Sequence, residues 1–288
     1  MKKILIFSLA YYPDYVGGAE VAIKEITDRI HNGEASFDMV TAKRNFRQSR
    51  YEKIGNVNVY RVGLGVEFFD KFSIPIFGFL KAISLQRKNK YDLTWSMMAN
   101  QASVAASFFK VFYRKIPLIL TIQEGDEEEH LKRYVLGNDT LYKISIRPWH
   151  KMPFKLSDRA TAISKYLKER IEKNNFNGPI EIIPNGADLK TFGKSYSSNE
   201  ELESLKSELG IKKDEKIIIT TSRLVEKNAV DDIILSLKSL PKKYKLLILG
   251  TGHLSYKLQN IVEKKGLSER VNFLGFIDRK EIPKYLRL

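Results

Sequence analysis

Residues 217–240 of this chain are IIITTSRLVEKNAVDDIILSLKSL, a stretch in which an apolar run passes into a helical pattern. Three consecutive isoleucines are typical of a strand that is buried on both faces of a sheet. The apolar residues that follow recur at the spacing of one helical face: Val230, Ile233, Ile234, Leu237 and Leu240. Arg223 and Lys227 therefore lie between the end of a buried strand and the start of a helix.

The position of these two cations is informative, because the amino end of a helix already carries partial positive charge. A bound anion would offset the repulsion between the cations and the helix end. The position thus favours a phosphate-binding pair over the alternative of two solvated cations in a surface loop.

The rest of the chain repeats the alternation of strand and helix. Strands are predicted at residues 4–9, 37–41, 57–62, 92–96, 118–122, 159–163, 180–183, 216–221, 245–249 and 271–276. Helices are predicted at residues 21–30, 68–86 (after Pro75), 102–113, 165–173, 200–209, 230–240, 255–265 and from 279 onward. This rhythm predicts an α/β fold with mostly parallel sheets and helices on both faces.

The order of these elements predicts two domains. We expect a first domain over residues 1–192, a polar Gly/Ser-rich linker over 193–199, and a partial second domain over 200–288 with about three strands.

Composition limits the classes of function. The chain has no cysteine, which excludes disulfides, thiolate metal sites and cysteine nucleophiles. Its amino-terminal apolar stretch is too short for a signal peptide, and no stretch approaches the roughly 20 apolar residues of a transmembrane helix. A cytoplasmic protein is therefore expected. The net charge of +15 favours anionic partners, but no nucleic-acid-binding module is visible, so no nucleic acid partner is expected.

Other short motifs follow predicted strands. Gly17 and Gly18 could let the backbone approach a phosphate, or could form an ordinary turn. Gln123 can donate and accept hydrogen bonds, and the acidic run 124–129 after it is interpreted as a solvated loop rather than a metal site. The stretch PNG at 184–186 is interpreted as a turn, and Gly250 and Gly252 form a Gly-x-Gly that is weak alone.

Together these motifs resemble one family. The matching stretches are YYPDYVGGAE (11–20), IIPNGADLKTF (182–192), TSRLVEKNAVDDIILSL (221–237), LLILGTGH (246–253) and VNFLGFIDRKEIPKYL (271–286). They resemble the retaining glycosyltransferases of family 4, the group-1 type with a GT-B fold. The resemblance implies two facing Rossmann-like domains with the active site in the cleft between them. It also implies transfer of a sugar from a nucleotide-sugar donor with retention of anomeric configuration, and no metal cofactor.

The resemblance assigns roles to residues. Arg223 and Lys227 would stabilise the leaving diphosphate, and Gln123 would contact the donor sugar where many relatives carry a histidine. The nucleotide-sugar site would also include Gly17, Gly18, Gly250, Gly252 and Phe276. Lys227 departs from the family pattern, because it lies one position early and Asn228 occupies the usual slot.

In addition to the histidine replaced by Gln123 and the shifted Lys227, the sequence departs from the family pattern at the end of the chain. The family's Glu-x7-Glu element and terminal helix would lie beyond Leu288, so we expect a C-terminally truncated enzyme whose second domain is incomplete. In this form it would bind nucleoside diphosphates weakly or not at all, and its activity without the missing element is left open.

The acceptor is expected to be a glycan or a lipid-linked molecule, as in cell-surface polysaccharide or glycolipid synthesis by a hexosyltransferase. Residues 68–93 and 111–117 interleave aromatic residues with lysine and arginine. This pattern fits peripheral binding to the acidic inner face of the plasma membrane, or core helices with solvated basic edges.

Three alternatives from other classes are open. The first is a non-catalytic nucleotide-sugar or glycan-binding protein. A dinucleotide-dependent oxidoreductase is disfavoured, because Ser255 stands where the third glycine of Gly-x-Gly-x-x-Gly belongs. Nucleic-acid binding rests on charge alone.

Overall fold

The computed structural model describes residues 1–31, 33–123, 131–193 and 197–288. The chain divides into two compact units, Met1–Asn185 and Gly186–Leu288. Each unit has its own sheet and its own apolar core.

The sheet of the first unit has eight strands in the order β3-β4-β2-β1-β5-β6-β7-β8. The strands are β1 (Lys2–Phe7), β2 (Ala35–Ala42), β3 (Tyr51–Ile54), β4 (Val57–Val62), β5 (Leu93–Met97), β6 (Leu118–Ile122), β7 (Arg159–Ala162) and β8 (Ile180–Ile182). Neighbouring strands are parallel except for β3, which pairs with β4 in the antiparallel sense. The prediction of an α/β fold with a mostly parallel sheet is confirmed.

Helices cover both faces of this sheet. The α-helices of the first unit are α1 (Gly18–Arg29), α2 (Glu67–Asn89), α3 (Gln101–Phe112), α4 (Asp139–Leu141), α5 (Arg147–Leu156) and α6 (Lys165–Lys173). A 3-10 turn, Lys132–Val135, and a π-helical turn, Tyr142–Ile146, precede α5.

The alternation of side chains along β1 explains the two-sided core. Leu5 and Phe7 pack with α2 and α3 on one face, whereas Ile6 packs with Ile23 of α1 on the other. A third cluster joins β6 and β7 to Phe154 of α5 and to α6. Burial of both faces is what a parallel sheet of this kind requires.

Helix α2 differs from its prediction in one respect. We expected it to begin after Pro75, but it begins at Glu67 and contains Pro75. The fully buried Asp70 accepts hydrogen bonds from the backbone amides of Leu64, Gly65 and Val66. These bonds hold the first turn in place upstream of the proline, which outweighs the usual disruption by an interior proline.

The second unit contains a three-stranded parallel sheet in the order β11-β10-β9. Its strands are β9 (Lys216–Thr221), β10 (Tyr244–Leu249) and β11 (Val271–Gly275), and its α-helices are α7 (Asn199–Glu208), α8 (Val230–Ser236), α9 (Ser255–Lys264) and α10 (Ile282–Tyr285). Short 3-10 turns lie at Glu226–Asn228, Leu237–Ser239 and Ser268–Arg270. Apolar side chains of α8, α9 and β10 form its core.

Among the helices that the structure describes, none combines the length and the apolar composition needed to cross a bilayer.

Candidate functional site

The loops that follow β9 and β10 are joined to each other at the carboxyl edge of the second sheet. Leu224 N donates to Thr251 O at 3.0 Å, and Leu254 N donates to Leu224 O at 3.2 Å. Ser222 N also donates to Leu249 O at 3.2 Å. The backbone of the loop that carries Arg223 is thus fixed against the Gly-x-Gly loop.

The two glycines of the second loop make this close approach feasible. A Cβ atom on Gly250 would lie 2.0 Å from Ser222 O, and one on Gly252 would lie 2.2 Å from Leu224 O. Gly250 also has a φ of +153°, a conformation that side chains rarely adopt. Gly250 and Gly252 therefore leave room for the backbone of residues 222–224, which is their structural role in this fold.

Arg223 and Lys227 are both exposed on the loop after β9. Leu224, which follows Arg223, is buried in the core and anchors the loop from below. Asn228 Nδ2 donates to Arg223 O at 2.7 Å, so the side chain in the family's usual lysine position is turned back onto the loop. Both cations thus lie on one short loop whose ends are joined by the hydrogen bond from Asn228 to Arg223.

Two acidic residues alter the electrostatic argument at this corner. Asp231 and Asp232 lie in the first turn of α8. They supply negative charge to the helix end, so the helix dipole alone does not require an anion beside Arg223 and Lys227.

A hydrogen bond between His253 and Glu226 links the same two loops through their side chains. His253 Nε2 donates to the Glu226 carboxylate, whose oxygens lie 3.0 and 3.1 Å away. Hydrogen bonds from its own backbone amide and from His253 hold the pKa of the Glu226 carboxyl below its ordinary value. Sequence reasoning did not single out this pair, because its members are separated by 27 positions.

The turn after β11 completes this edge. Gly250 N donates to Gly275 O at 2.7 Å, and Gly275 has a φ of +71°. Phe276 follows it with 77% of its surface exposed. The second unit therefore brings Arg223, Lys227, Gly250, Gly252 and Phe276 onto three neighbouring loops, while their roles in binding stay predictions.

In the first unit, Gly17 precedes α1 and Gly18 is its first residue. Gly17 N donates to the Glu20 carboxylate at 2.9 Å, so this amide already has an acidic partner. A Cβ on Gly18 would meet no atom within 4 Å. The folded unit itself therefore has room for a side chain at position 18, and the part of Gly18 in ligand binding stays a prediction.

Gln123 lies at the carboxyl end of β6 and pairs with Asn185, beyond the end of β8. Gln123 Nε2 donates to Asn185 Oδ1 at 3.0 Å, and Asn185 Nδ2 donates to Gln123 Oε1 at 3.1 Å. The motif PNG therefore contributes a side chain that its interpretation as a turn did not anticipate.

Arg61 connects two further loops of the first unit. It is buried on β4, and its guanidinium donates to Tyr12 O at 2.7 Å, to Ser49 O at 3.2 Å and to Glu52 at 2.9 Å. The glycine loop after β1 is thereby tied to the loop before β3. An arginine within the predicted strand VNVYRV (57–62) was the available signal.

No group of three imidazole or carboxylate side chains that could hold a metal ion occurs in the part of the chain that the structure describes. The acidic run 124–129 lies outside the described residues.

The two parallel-sheet units and their loop-edge site define the GT-B class of glycosyltransferases, and the comparisons with known proteins agree. The model of the family described as "Glycosyltransferase Family 4" matches residues 16–191, and that described as "Glycosyl transferases group 1" matches residues 202–288. The chain belongs to glycosyltransferase family 4, of the group-1 type.

Curated relatives include two alpha-monoglucosyldiacylglycerol synthases. That of Acholeplasma laidlawii is 28% identical over 128 residues, which is 43% of this chain and 32% of the relative. That of Streptococcus pneumoniae is 22% identical over 99% of this chain and 64% of the relative. This chain thus spans less than two thirds of the length of either relative.

Solved structures with the same fold include sucrose-phosphate synthase from Thermosynechococcus elongatus, with a TM-score of 0.72 at 15% identity over 99% of this chain and 73% of that one. The Anabaena protein HepE in complex with UDP gives a TM-score of 0.70 at 17% identity over 99% and 71%. At these identities the likeness shows the fold.

Proposed function

We propose that this protein transfers a sugar from a nucleotide-sugar donor to an acceptor, with retention of configuration. The observation that carries the proposal is the pair of interlocked loops after β9 and β10, which presents Arg223 and Lys227 beside Gly250 and Gly252. Membership of family 4 and the UDP complex of HepE support a nucleotide-sugar donor.

The cations have a defined part in this reaction. As the bond between sugar and phosphate breaks, negative charge grows on the leaving diphosphate. Fixed cations stabilise that charge without reorganising, and such preorganised groups contribute strongly to catalysis. The backbone bonds of Leu224 supply the fixation on the Arg223 side.

Two further points follow for the mechanism. Because Arg223 and Lys227 offset the diphosphate charge, the proposed reaction uses no metal cofactor. The proton of the acceptor passes to the donor's own phosphate, as the family resemblance implies, so Gln123 need only hydrogen-bond the sugar and not act as a base.

We further propose a lipid-linked acceptor, with the product a membrane glycolipid or a precursor of a cell-surface glycan. Two relatives are named as synthases of a glucosyl-diacylglycerol, which supports this acceptor class.

The test is a transfer assay with the protein expressed from its complete gene. UDP-, GDP- and ADP-sugars are offered with diacylglycerol and oligosaccharide acceptors, with EDTA present, and the anomeric configuration of the product is determined by NMR. Arg223→Ala is expected to lower kcat by about 10²–10³-fold, the usual loss for one preorganised donor. Lys242→Ala, an exposed lysine of the second unit, serves as the control.

Several outcomes would contradict the proposal. Activity that EDTA abolishes would remove metal independence, and an inverted product would remove retention. Nucleotide-sugar binding without transfer to any acceptor would indicate a non-catalytic binding protein. A loss below threefold in the Arg223 variant would exclude its role.

A further inference from the structure

Three helices of the first unit expose apolar side chains that their core does not use. Helix α2 buries Ile74, Ala82 and Leu85 against the sheet, yet it also has an exposed apolar stripe. The exposed residues on α2, α3 and α5 are Phe69, Phe72, Ile76, Phe77, Leu80, Val111, Phe112 and Trp149, each 42–69% exposed. We call this set the apolar helix face.

The apolar helix face is continuous, because aromatic rings join the three helices. The ring of Phe79 on α2 lies 5.0 Å from that of Phe112 and 5.9 Å from that of Phe108, both on α3. The ring of Phe108 lies 5.7 Å from that of Trp149 on α5. Contiguous exposed apolar surface of this kind marks an interaction site in soluble proteins.

The charge on the helices that carry this face is predominantly positive, although Asp158, just after α5, pairs with Lys110 of α3 at 2.8 Å. Residues 67–90, 101–116 and 142–157 contain 12 lysines and arginines but two acidic residues, Glu67 and Asp70. Asp70 is fully buried and bonded to backbone amides, so its charge does not reach the surface. The exposed cations are Arg87, Lys88, Lys90, Arg114, Lys115, Lys143 and Lys155.

This combination selects one occupant. A second copy of the chain would bring like charges together, whereas an anionic bilayer attracts each lysine or arginine at its surface. Aromatic and aliphatic side chains beside cations also match the depth profile of a bilayer, with rings at the headgroup level and cations at the phosphates.

We propose that the apolar helix face docks this protein onto an anionic membrane, with α2, α3 and α5 lying against the headgroups. The inference extends the proposed function and rests on it for its purpose, since a protein bound in this way meets a lipid-linked acceptor at the surface where that acceptor resides. Trp149 and α5 enlarge the surface beyond the segments 68–93 and 111–117 that the sequence indicated.

The docking is tested by vesicle flotation of the protein expressed from its complete gene, in the absence of a nucleotide-sugar donor. Vesicles of equal phosphatidylglycerol and phosphatidylcholine are expected to bind the protein at low salt, whereas phosphatidylcholine vesicles are not. The double variants Ile76→Ser/Leu80→Ser and Arg114→Gln/Lys115→Gln are each expected to lower the partition coefficient about tenfold or more.

Matched controls lie on the second unit. Leu189→Ser/Tyr256→Ser removes two apolar side chains that are 81% and 77% exposed, and Lys242→Gln/Lys243→Gln removes two exposed charges. Both controls are expected to bind vesicles as the unmodified protein does, and circular dichroism verifies that each variant is folded.

The proposal is overturned if the variants and controls bind equally, or if anionic vesicles fail to bind at low salt. A dimer in light scattering that Ile76→Ser/Leu80→Ser dissociates, without vesicle binding, would assign the face to a second copy. Because transfer is assayed separately, loss of vesicle binding and loss of the proposed function are distinguishable.

Discussion

At the scale of single residues, the side chains of Gln123 and Asn185 form a reciprocal hydrogen-bonded pair in the first unit. A side-chain amide has two N–H donors and an oxygen with two lone pairs. Each amide uses one donor and one lone pair in the mutual bonds. The pair therefore retains one donor and one acceptor on each side, which suits the hydroxyl groups of a sugar.

Asn185→Ala is expected to weaken binding of the nucleotide sugar by about three- to tenfold, the effect of losing one neutral hydrogen-bond partner. Binding of the free nucleotide, which lacks the sugar, is expected to be unchanged. Calorimetric titration with UDP-glucose and with UDP, or with the pair of ligands that the transfer panel selects, measures both affinities.

Asn177→Ala, at another exposed asparagine of the first unit, is the control for this measurement. Equal loss for both ligands would show that Asn185 acts on the structure as a whole. No loss for either ligand would separate Asn185 from the donor site.

At the scale of elements, the crossing of the loops after β9 and β10 depends on the absence of side chains at positions 250 and 252. Gly252→Ala would place a Cβ 2.2 Å from Leu224 O and 2.8 Å from Leu224 N, both backbone atoms. We expect a loss of ~1–3 kcal/mol in the free energy of unfolding, the usual result of overpacking, measured by urea denaturation.

Gly18→Ala is the matched control, since its Cβ meets nothing within 4 Å at the start of α1. It is expected to raise the free energy of unfolding by ~0.4–1 kcal/mol, because alanine lowers the conformational entropy of the unfolded chain. If Gly252→Ala left stability unchanged, the steric role of this glycine would be refuted. Weaker nucleotide-sugar binding by the stable Gly18 variant would support ligand approach at that position.

The predictions for β4, β6 and β9 coincide with the observed bounds. Strand β6 is almost wholly buried, as expected of a parallel strand covered on both faces. Strand β9 was expected to be buried as well, but it is the last strand of its sheet and its isoleucines are only partly buried. Strand β3 was missed, since Tyr51–Ile54 is an edge strand whose exposure alternates. The start of α2 was misplaced because Pro75 suggested a later start, whereas the Asp70 side chain holds the first turn through local bonds from the amides of Leu64 and Val66.

The candidate site was predicted less completely, and for a physical reason. Arg223 and Lys227 could be placed from local pattern, because both follow one strand directly. The contacts between Gln123 and Asn185 span 62 positions, and those of Arg61 with Tyr12 span 49. Such contacts depend on strand order in the folded sheet, which no short stretch of sequence encodes.

At the scale of the whole molecule, the two units have separate cores, and both tryptophans, Trp95 and Trp149, lie in the first. Tryptophan fluorescence therefore reports the unfolding of Met1–Asn185, whereas calorimetry reports both units. With UDP, or whichever nucleotide binds, at a hundredfold its Kd, the second unit is expected to gain ~2.7 kcal/mol. Its Tm rises by roughly 10 °C, while the fluorescence transition stays in place.

The same titration with phosphate buffer in place of the nucleotide controls for general ionic effects. An equal rise in the fluorescence and calorimetric transitions would show that the units unfold as one or that both bind the nucleotide.

The close crossing of the loops after β9 and β10 also constrains how this protein can evolve. A side chain larger than hydrogen at Gly250 or Gly252 is compatible only with a different path for residues 222–224. A substitution at either glycine alone therefore meets a steric barrier, unless the path of residues 222–224 changes with it. The position of Arg223 thus depends on two glycines that lie nearly thirty residues further along the chain.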